Sequence, residues 1–547
     1  MPTLTYDKKD LIKLIGKDIT EKEIEEAINM IKLNVEKIEK NEITVELTPD
    51  RADLFGIEGL ARAIRYFLGI ETGLVKYHVE EAKTEVMVGE VKSRPYIACA
   101  IVKNVKLSDE LIRSLMNIQE ALHETIGRNR KRVAIGIHDL EKIEPPISYK
   151  TASPEAKFLP LGEKKEMSLK EVLTNTQKGI EFAHVLSGEF PVYVDSKGIF
   201  SFPPILNSER TRIKEGTKSM FVEVTGTEKK STLQTLNILV TNLIDRGCRV
   251  EAVKVKYGKK AEKTPVLEEE NMEIDTDFVN KLIGLNLSKK EICMLLERMG
   301  YGTIEKKGKK INVIIPCYRN DILHSVDIVE DVAIAYGYNN LIPEMPNLAT
   351  VGLDLPLENF CEKIRNLMVG FGFIEVLRPT LTNFFDQFDK MRLKGEAIEI
   401  ENPVSEEYNC LRVWIIPSLL KVLSLNKHVE YPQNIFEIGD VVVMDENEEV
   451  LTKTIRKVGC TICHSKSSFS EVKGVVESLI KSLGLNFNIE EFSHPSFIDG
   501  RCCLVKINGK EVGMFGEIHP EVIENWKIEM PVSCFEIDLE ALLNFIR

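Results

Sequence analysis

Residues 319–339 read RNDILHSVDIVEDVAIAYGYN, and the same framework stands 268 positions earlier in TPDRADLFGIEGLARAI, residues 48–64. Arg319 and Asp321 repeat Arg51 and Asp53. Leu282-Ile283-Gly284 repeats Leu14-Ile15-Gly16, and Lys290-Glu291-Ile292 repeats Lys22-Glu23-Ile24. Ile311 and Val313 fall on Ile43 and Val45, and Gly337 falls on Gly69. One offset that holds without a gap from Leu14 to Gly69 marks an internal repeat. Each copy reads as helix, strand, helix.

The copies diverge just after Arg-x-Asp. Where the first has Gly59, Arg62 and Ala63, the second has Asp327, Glu330 and Asp331. Carboxylates at i, i+3 and i+4 share one face at the start of a helix, and Asp321 lies in the preceding turn. Four oxygen donors converging there suit a hard cation, Mg²⁺ before Ca²⁺. The plainer reading is an acidic helix N-terminus favoured by the macrodipole. The first copy favours the metal, because the same scaffold forms there without the acids.

At about 150 residues per domain, 547 residues predict three to five domains. No apolar run reaches the ~18 residues of a membrane helix. The start, MPTLTYDKKDLIKLIG, carries charge where a signal peptide needs its apolar stretch, so a cytoplasmic protein is expected. The net charge of −13 argues against a chain that grips nucleic acid mainly through its own phosphate contacts. The eleven cysteines mostly sit in apolar runs, as buried thiols do. Cys460-x-x-Cys463-His464 matches a c-type haem attachment string, but it lies in what reads as a strand and its turn, and the haem reading is set aside.

Between the copies, residues 90–265 carry short β-type runs (IACAIVKNV, RVAIGIHDL, FPVYVD, SMFVEVTG, RVEAVKVKY) with amphipathic helices over 108–126 and 231–246. Residues 355–547 alternate a few helices with many strands. The whole reads as multidomain α+β with a largely antiparallel C-terminal sheet. Four parts are expected: 1–88 with the first repeat copy, 89–268, 269–345 with the second copy, and 346–547.

These motifs, together with HPSFIDGRCCLVKINGKEVGMFGEIHPEVIENW and VSCFEIDLEALL near the C-terminus, resemble the phenylalanyl-tRNA synthetase β-subunit family in its shorter archaeal and eukaryotic form. The resemblance runs from end to end. It implies two related small domains flanking an editing module, then a class II synthetase-like module. It also implies charging of tRNA(Phe) with phenylalanine at the expense of ATP, in an assembly of two α and two β subunits. On it, Asp321, Asp327, Glu330 and Asp331 match the family's magnesium site. No anticodon-binding extension or oligonucleotide-binding insertion of the bacterial form is evident, so anticodon recognition is not expected of this chain.

The C-terminal module lacks charges that adenylate formation requires. The second class II motif supplies an arginine two residues before a glutamate to neutralise the ATP α-phosphate; in NIFEIGDVV that place, before Glu437, holds Ile435. After Arg501 the only arginine is Arg547, so the third motif's arginine is missing too. Losing one such contact commonly costs on the order of 100-fold in rate. ATP and phenylalanine are therefore expected mainly on the α subunit, with this module structural.

Phenylalanine and tyrosine differ by one hydroxyl, and an apolar pocket rejects an added hydroxyl by only about 100-fold. A second, hydrolytic site needs polar groups that reward it. FPPILNSERTRIKEGTKSMFVEVTGTEKKST concentrates candidates: Asn207, Ser208, Thr211, Glu223, Thr225 and Gly226. Glu223 and Thr225 share one strand face; Glu223 would accept a bond from a phenol, and Thr225 or Asn207 would position water and the ester. No Ser-His-Asp or Cys-His signature stands out, so positioned water is expected over a covalent intermediate. Each residue also has a plainer reading as strand surface or turn. Basic groups at Arg128, Arg130, Lys131 and Arg132, and at Lys254, Lys256, Lys259 and Lys260, read first as solvated charge and second as tRNA phosphate contacts. Two rival functions stand beside the editing subunit: a non-enzymatic RNA-binding scaffold, and a free-standing deacylase.

Overall fold

The computed structural model describes residues 2–546, which divide into one unit ending at Glu344 and another beginning at Met345. In the first unit the repeat is visible as two three-stranded antiparallel sheets of one topology. Glu42–Glu46 lies between Thr3–Asp7 and Asn34–Ile38, as Lys310–Ile315 lies between Glu270–Asp275 and Gly302–Glu305. Helices Lys8–Ile15, Glu21–Met30 and Ile57–Phe67 are matched by Thr276–Ile283, Lys289–Glu297 and Ser325–Tyr336. Each copy thus has two further strands, one of them leading, and an extra helix beyond the helix, strand, helix pattern. The strand TLTYD escaped detection because it buries only Tyr6 and shows no clear alternation.

The repeated residues are the ones that set local geometry. Gly16 and Gly284 end their helices at φ 75° and 80°, the left-handed cap that a β-carbon disfavours. Thr20 with Glu23, and Ser288 with Glu291, form capping boxes. Arg51 grips Asp53 through two bonds of 2.9 Å, and Arg319 grips Asp321 through bonds of 2.8 and 2.7 Å. The copies meet about a pseudo-two-fold axis, so equivalent positions exchange contacts. The Arg62 guanidinium lies 3.8 Å over the Tyr318 ring, while Lys32 joins Asp50, the equivalent of Tyr318, to Glu330, the equivalent of Arg62. Arg298 donates to the carbonyls of Phe67 and Ala335, again one position in each copy.

Between the copies a ten-stranded mixed sheet runs in the order Leu206–Asn207, Gly198–Phe202, Pro191–Asp195, Ile147–Thr151, Glu80–Val88, Arg249–Tyr257, Tyr96–Lys103, Ser219–Gly226, Val133–Asp139, with Lys260–Thr264 on Arg249–Tyr257. Glu80–Val88 lies before the boundary expected at 88/89, yet it pairs in parallel with two strands of this sheet. Helices Asp109–Glu124 and Lys229–Asp245 cover one face, and their apolar residues join those of the first copy in a continuous core. That shared core is why the N-terminal parts form one unit. The sheet curls until its end strands approach, with Asn207 Nδ2 donating to Ile137 O at 3.4 Å. Glu223 and Thr225 face inward, whereas Val222 and Val224 pack towards the helices.

The second unit is a seven-stranded sheet ordered Ile374–Glu375, Gln433–Met444, Thr452–Cys463, Val532–Asp538, Lys510–Ile518, Phe497–Ile507, Asn488–Glu491. Its pairs are antiparallel except the first. Helices Pro356–Gly370 and Phe469–Ser482 pack on one face and Ile416–Leu425 on the other. Cys460 and Cys463 are buried in a central strand, so the haem-like string is sheet interior. Among the described residues no helix is long and apolar enough to cross a membrane.

Candidate functional site

A cavity of about 870 Å³ opens at the seam of the curled sheet, lined among others by Ile135, Ile137, Ser201, Asn207, Glu223 and Arg130. Glu223 forms its floor at 1% exposure. Its Oε1 accepts a 2.9 Å bond from Ser201 Oγ, while Oε2 has no partner among the described residues. An unpaired buried carboxylate oxygen is costly unless something donates to it. The Glu223 carboxylate occupies the space above Gly136: a β-carbon there would overlap Oε1 and come within 2.9 Å of His138 Nε2.

Of the six candidates, Glu223 and Asn207 line the cavity, whereas Thr225, Gly226, Ser208 and Thr211 do not. Thr225 faces inward as expected but lies against Arg94, which donates to its hydroxyl at 3.3 Å and its carbonyl at 2.9 Å. Ser208 donates to Leu159 O at 2.9 Å, holding the turn. Thr211 is fully buried with Oγ1 2.9 Å from His138 Nδ1. These three shape the wall from behind. Glu223 itself is no solvated strand residue. Burial holds the Arg94 guanidinium down at about 10, against the opposing pull of Tyr149 and Glu223.

Sequence reasoning missed Ser201, His138 and the inward turn of Arg130. The signal was present in VAIGIHD: a glycine inside a strand marks a close approach, and a histidine interrupts an apolar run. Arg130, expected in solvent, instead donates to Glu120 at 2.8 Å and to Ile205 O at 3.0 Å, bracing the cavity wall. Lys254 and Lys256 pair with Glu85, and Lys260 with Glu262.

Each of the four carboxylates of the second copy already has a partner on this chain. Asp321 is held by Arg319, whose charge outweighs burial and keeps the carboxyl well below its ordinary range. Asp331 accepts from Arg319 at 2.7 Å and from the buried Tyr301 hydroxyl. Asp327 caps its helix by accepting from the amides of Leu323 and His324, each at 2.7 Å. Glu330 pairs with Lys32 at 2.9 Å. Among the described residues no group of three or more His, Cys, Asp or Glu side chains is arranged to hold a metal. The donors do not fit a cation cradle as they stand. The spacing argument weighed the acids against the helix dipole alone and not against Arg319, Tyr301 and Lys32.

In the second unit Glu437 is fully buried, and its partner is Arg412, 2.7 Å away and itself 1% exposed. Burial raises the Glu437 carboxyl, and Arg412 opposes the shift. A guanidinium does stand in this module, ion-paired inward with Glu437 and donating to Asp440 O.

Three family models match consecutive stretches: the B3/4 domain over residues 95–258, the tRNA synthetase B5 domain over 272–338, and the phenylalanyl tRNA synthetase beta chain CLM domain over 342–539. The phenylalanine–tRNA ligase beta subunits of Methanocaldococcus jannaschii and Pyrococcus abyssi are each 42% identical to the chain, over 99% of it and 100% of their own length. An N-terminal fragment of the phenylalanyl-tRNA synthetase β-subunit from Pyrococcus horikoshii superposes with a TM-score of 0.60 at 38% identity, covering 62% of this chain and 100% of the fragment. With end-to-end identity at this level, the chain belongs to the family of phenylalanine–tRNA ligase beta subunits.

Proposed function

We propose that the chain is the proofreading subunit of a cytoplasmic two-α, two-β enzyme: it supports ATP-dependent attachment of phenylalanine to tRNA(Phe) by an α partner and hydrolyses tyrosyl-tRNA(Phe) in the seam cavity. The observation that carries this is the free Oε2 of Glu223 on the cavity floor. A phenol donating to a buried carboxylate gains about 1.5–3 kcal/mol, roughly a 10- to 150-fold preference over phenylalanine. That preference would multiply the ~100-fold rejection available at a synthetic site. Ser201 Oγ is engaged with Glu223 and no imidazole bonds it, which favours attack by positioned water over a covalent serine intermediate.

The synthetic step is assigned to the partner on the state of Arg412. Lending it to a nucleotide phosphate would leave Glu437 buried and unpaired, at about 3–5 kcal/mol. Among the described residues no three His, Cys, Asp or Glu side chains form a cradle for magnesium, so no step is routed through it. The test is Glu223→Ala in the complex with the α subunit. Phenylalanylation should stay unchanged while tyrosyl-tRNA(Phe) accumulates; unchanged hydrolysis of tyrosyl-tRNA(Phe) removes Glu223 from the site.

A further inference from the structure

Residues 306–310 read KKGKK and make the turn between the strands Gly302–Glu305 and Lys310–Ile315 of the second repeat copy. All five are exposed, and Gly308 takes φ 70°, the left-handed turn position that favours glycine. Lys289, at the start of the helix Lys289–Glu297, donates to the carbonyls of Lys306 and Gly308. That bond places its exposed chain neighbour, Lys290, near the same turn.

The first copy is an internal control. At the positions of Lys289 and of residues 306–310 it has Glu21 and Ile38-Glu39-Lys40-Asn41-Glu42. One copy therefore has five cations where the other has one cation and three acids, on the same three-stranded scaffold. Part of that charge is answered within the chain: Lys309 pairs with Asp277 and Lys310 with Glu273, each at 2.6 Å, and Lys289 is engaged by the turn carbonyls. Lys290, Lys306 and Lys307 have no carboxylate in ion-pair reach among the described residues. They differ in this from Lys254, Lys256 and Lys260, which are paired.

Unanswered charge of this kind fits phosphate better than protein. Protein interfaces bury an apolar or aromatic centre and are depleted in lysine, whereas the turn has no apolar side chain between Glu305 and Ile311. Nor does it carry an Arg, Asn or Gln to read a base edge. Lysine is a point charge on a flexible stem, suited to a backbone contact that positions a nucleic acid without reading its sequence. In a chain of net charge −13 the turn is a local exception. We propose that Lys290, Lys306 and Lys307 form a contact for the phosphate backbone of the tRNA on which this family of ligases acts. The contact is separate from the seam cavity and does not depend on proofreading.

The test uses the full complex with the α subunit. Binding of tRNA(Phe) is measured between about 50 and 200 mM salt for wild type, for the combined Lys290→Gln, Lys306→Gln and Lys307→Gln variant, and for Lys22→Gln with Lys40→Gln in the first copy. Each phosphate contact contributes about 0.7 to 0.9 to the slope of log affinity against log salt. Removing three should lower the slope by about 2 to 3, so the triple variant's deficit should shrink by about 20- to 40-fold across that range. Its KM for tRNA in phenylalanylation should rise with kcat unchanged, and the first-copy variant should bind as wild type does. Phenylalanine-dependent pyrophosphate exchange needs no tRNA and should be the same in all three. Wild-type affinity and slope in the triple variant overturn the proposal, as does a loss that is equal at every salt concentration. An equal loss in the first-copy variant overturns it too, since any surface lysine would then serve. Release of the α subunit from the triple variant overturns it in favour of a protein contact.

Discussion

Replacing Asp331 by alanine should loosen the second repeat copy by about 3–5 kcal/mol, and adding Tyr301→Leu should restore part of that loss. Asp331 accepts from Arg319 and from the Tyr301 hydroxyl, and all three side chains are buried. Arg319 would keep both bonds to Asp321, so what goes on that side is one charge-assisted bond, about 1.5–3 kcal/mol. The Tyr301 hydroxyl would lose its acceptor inside the core, another 1–3 kcal/mol or so. Together these reach the range for breaking a buried charged pair. The first copy shows how the same scaffold does without the pair, since the equivalents of Tyr301 and Asp331 are Leu33 and Ala63. The double variant removes the stranded hydroxyl, so it should be more stable than Asp331→Ala by about 1–3 kcal/mol. Native-state amide exchange at Val313 and Val332, interior to the strand and helix concerned, reads the local opening energy. Wild-type protection in Asp331→Ala, or no gain from Tyr301→Leu, would refute the argument. So would a protection that rises with Mg²⁺ in the wild type and not in Asp331→Ala, because it would make Asp331 a metal ligand first.

Two further outcomes follow from buried ionisable groups. Burial pushes the His123 imidazole from 6.5 down to about 4, against the opposing pull of Glu120, and its Nε2 accepts the Ile135 amide at 2.8 Å. Above about pH 6.5 the ring is neutral in both states; as pH falls towards 4 the unfolded chain takes the proton first, so the middle sheet should lose about 3 kcal/mol across that window. Exchange at Ile135 against pH checks this, and His123→Gln should flatten the dependence. In the second unit, Arg412→Leu leaves Glu437 without its counter-charge and should cost about 3–5 kcal/mol, whereas Arg412→Leu with Glu437→Leu should lie closer to wild type. Exchange along Gln433–Met444 distinguishes them.

The repeat was legible because its anchors do local work that no other residue type does. Gly16 and Gly284 take left-handed caps, Thr20 and Ser288 cap helices, and the Arg-x-Asp pairs are internal clamps. Such residues are read from a single offset. The leading strands of the copies were not legible, since TLTYD buries one side chain and leaves no alternation to read. The expected division at 88/89 leaves Glu80–Val88 on its N-terminal side, although that strand pairs with strands far along the chain, which local sequence does not record. Of the candidates chosen by chemistry, Glu223 and Asn207 fall on the cavity lining, while Thr225, Ser208 and Thr211 have other partners. Ser201 and His138 lie on strands distant in sequence from Glu223 and reach it only through the curl of the sheet.

The seam explains why the cavity lies where it does. Leu206–Asn207 is too short to pair along Val133–Asp139, so the ring does not close through a ladder. The open edge is satisfied by side chains instead. His123 accepts from Ile135 N, Gln119 donates to Ile135 O at 2.9 Å, and Asn207 donates to Ile137 O. An edge capped in this way is protected from pairing with another chain, yet it leaves room beside it that a paired strand would fill. The capping side chains have the freedom of groups outside a ladder, and they leave no strand alternation to read. The Arg-x-Asp clamps have no such freedom. Arg51 and Arg319 lie close enough across the pseudo-two-fold axis to repel each other in a buried setting, and Asp53 and Asp321 offset that repulsion. These clamps stand in both copies, so the scaffold could be read from one offset, whereas the cavity wall has no second copy to compare.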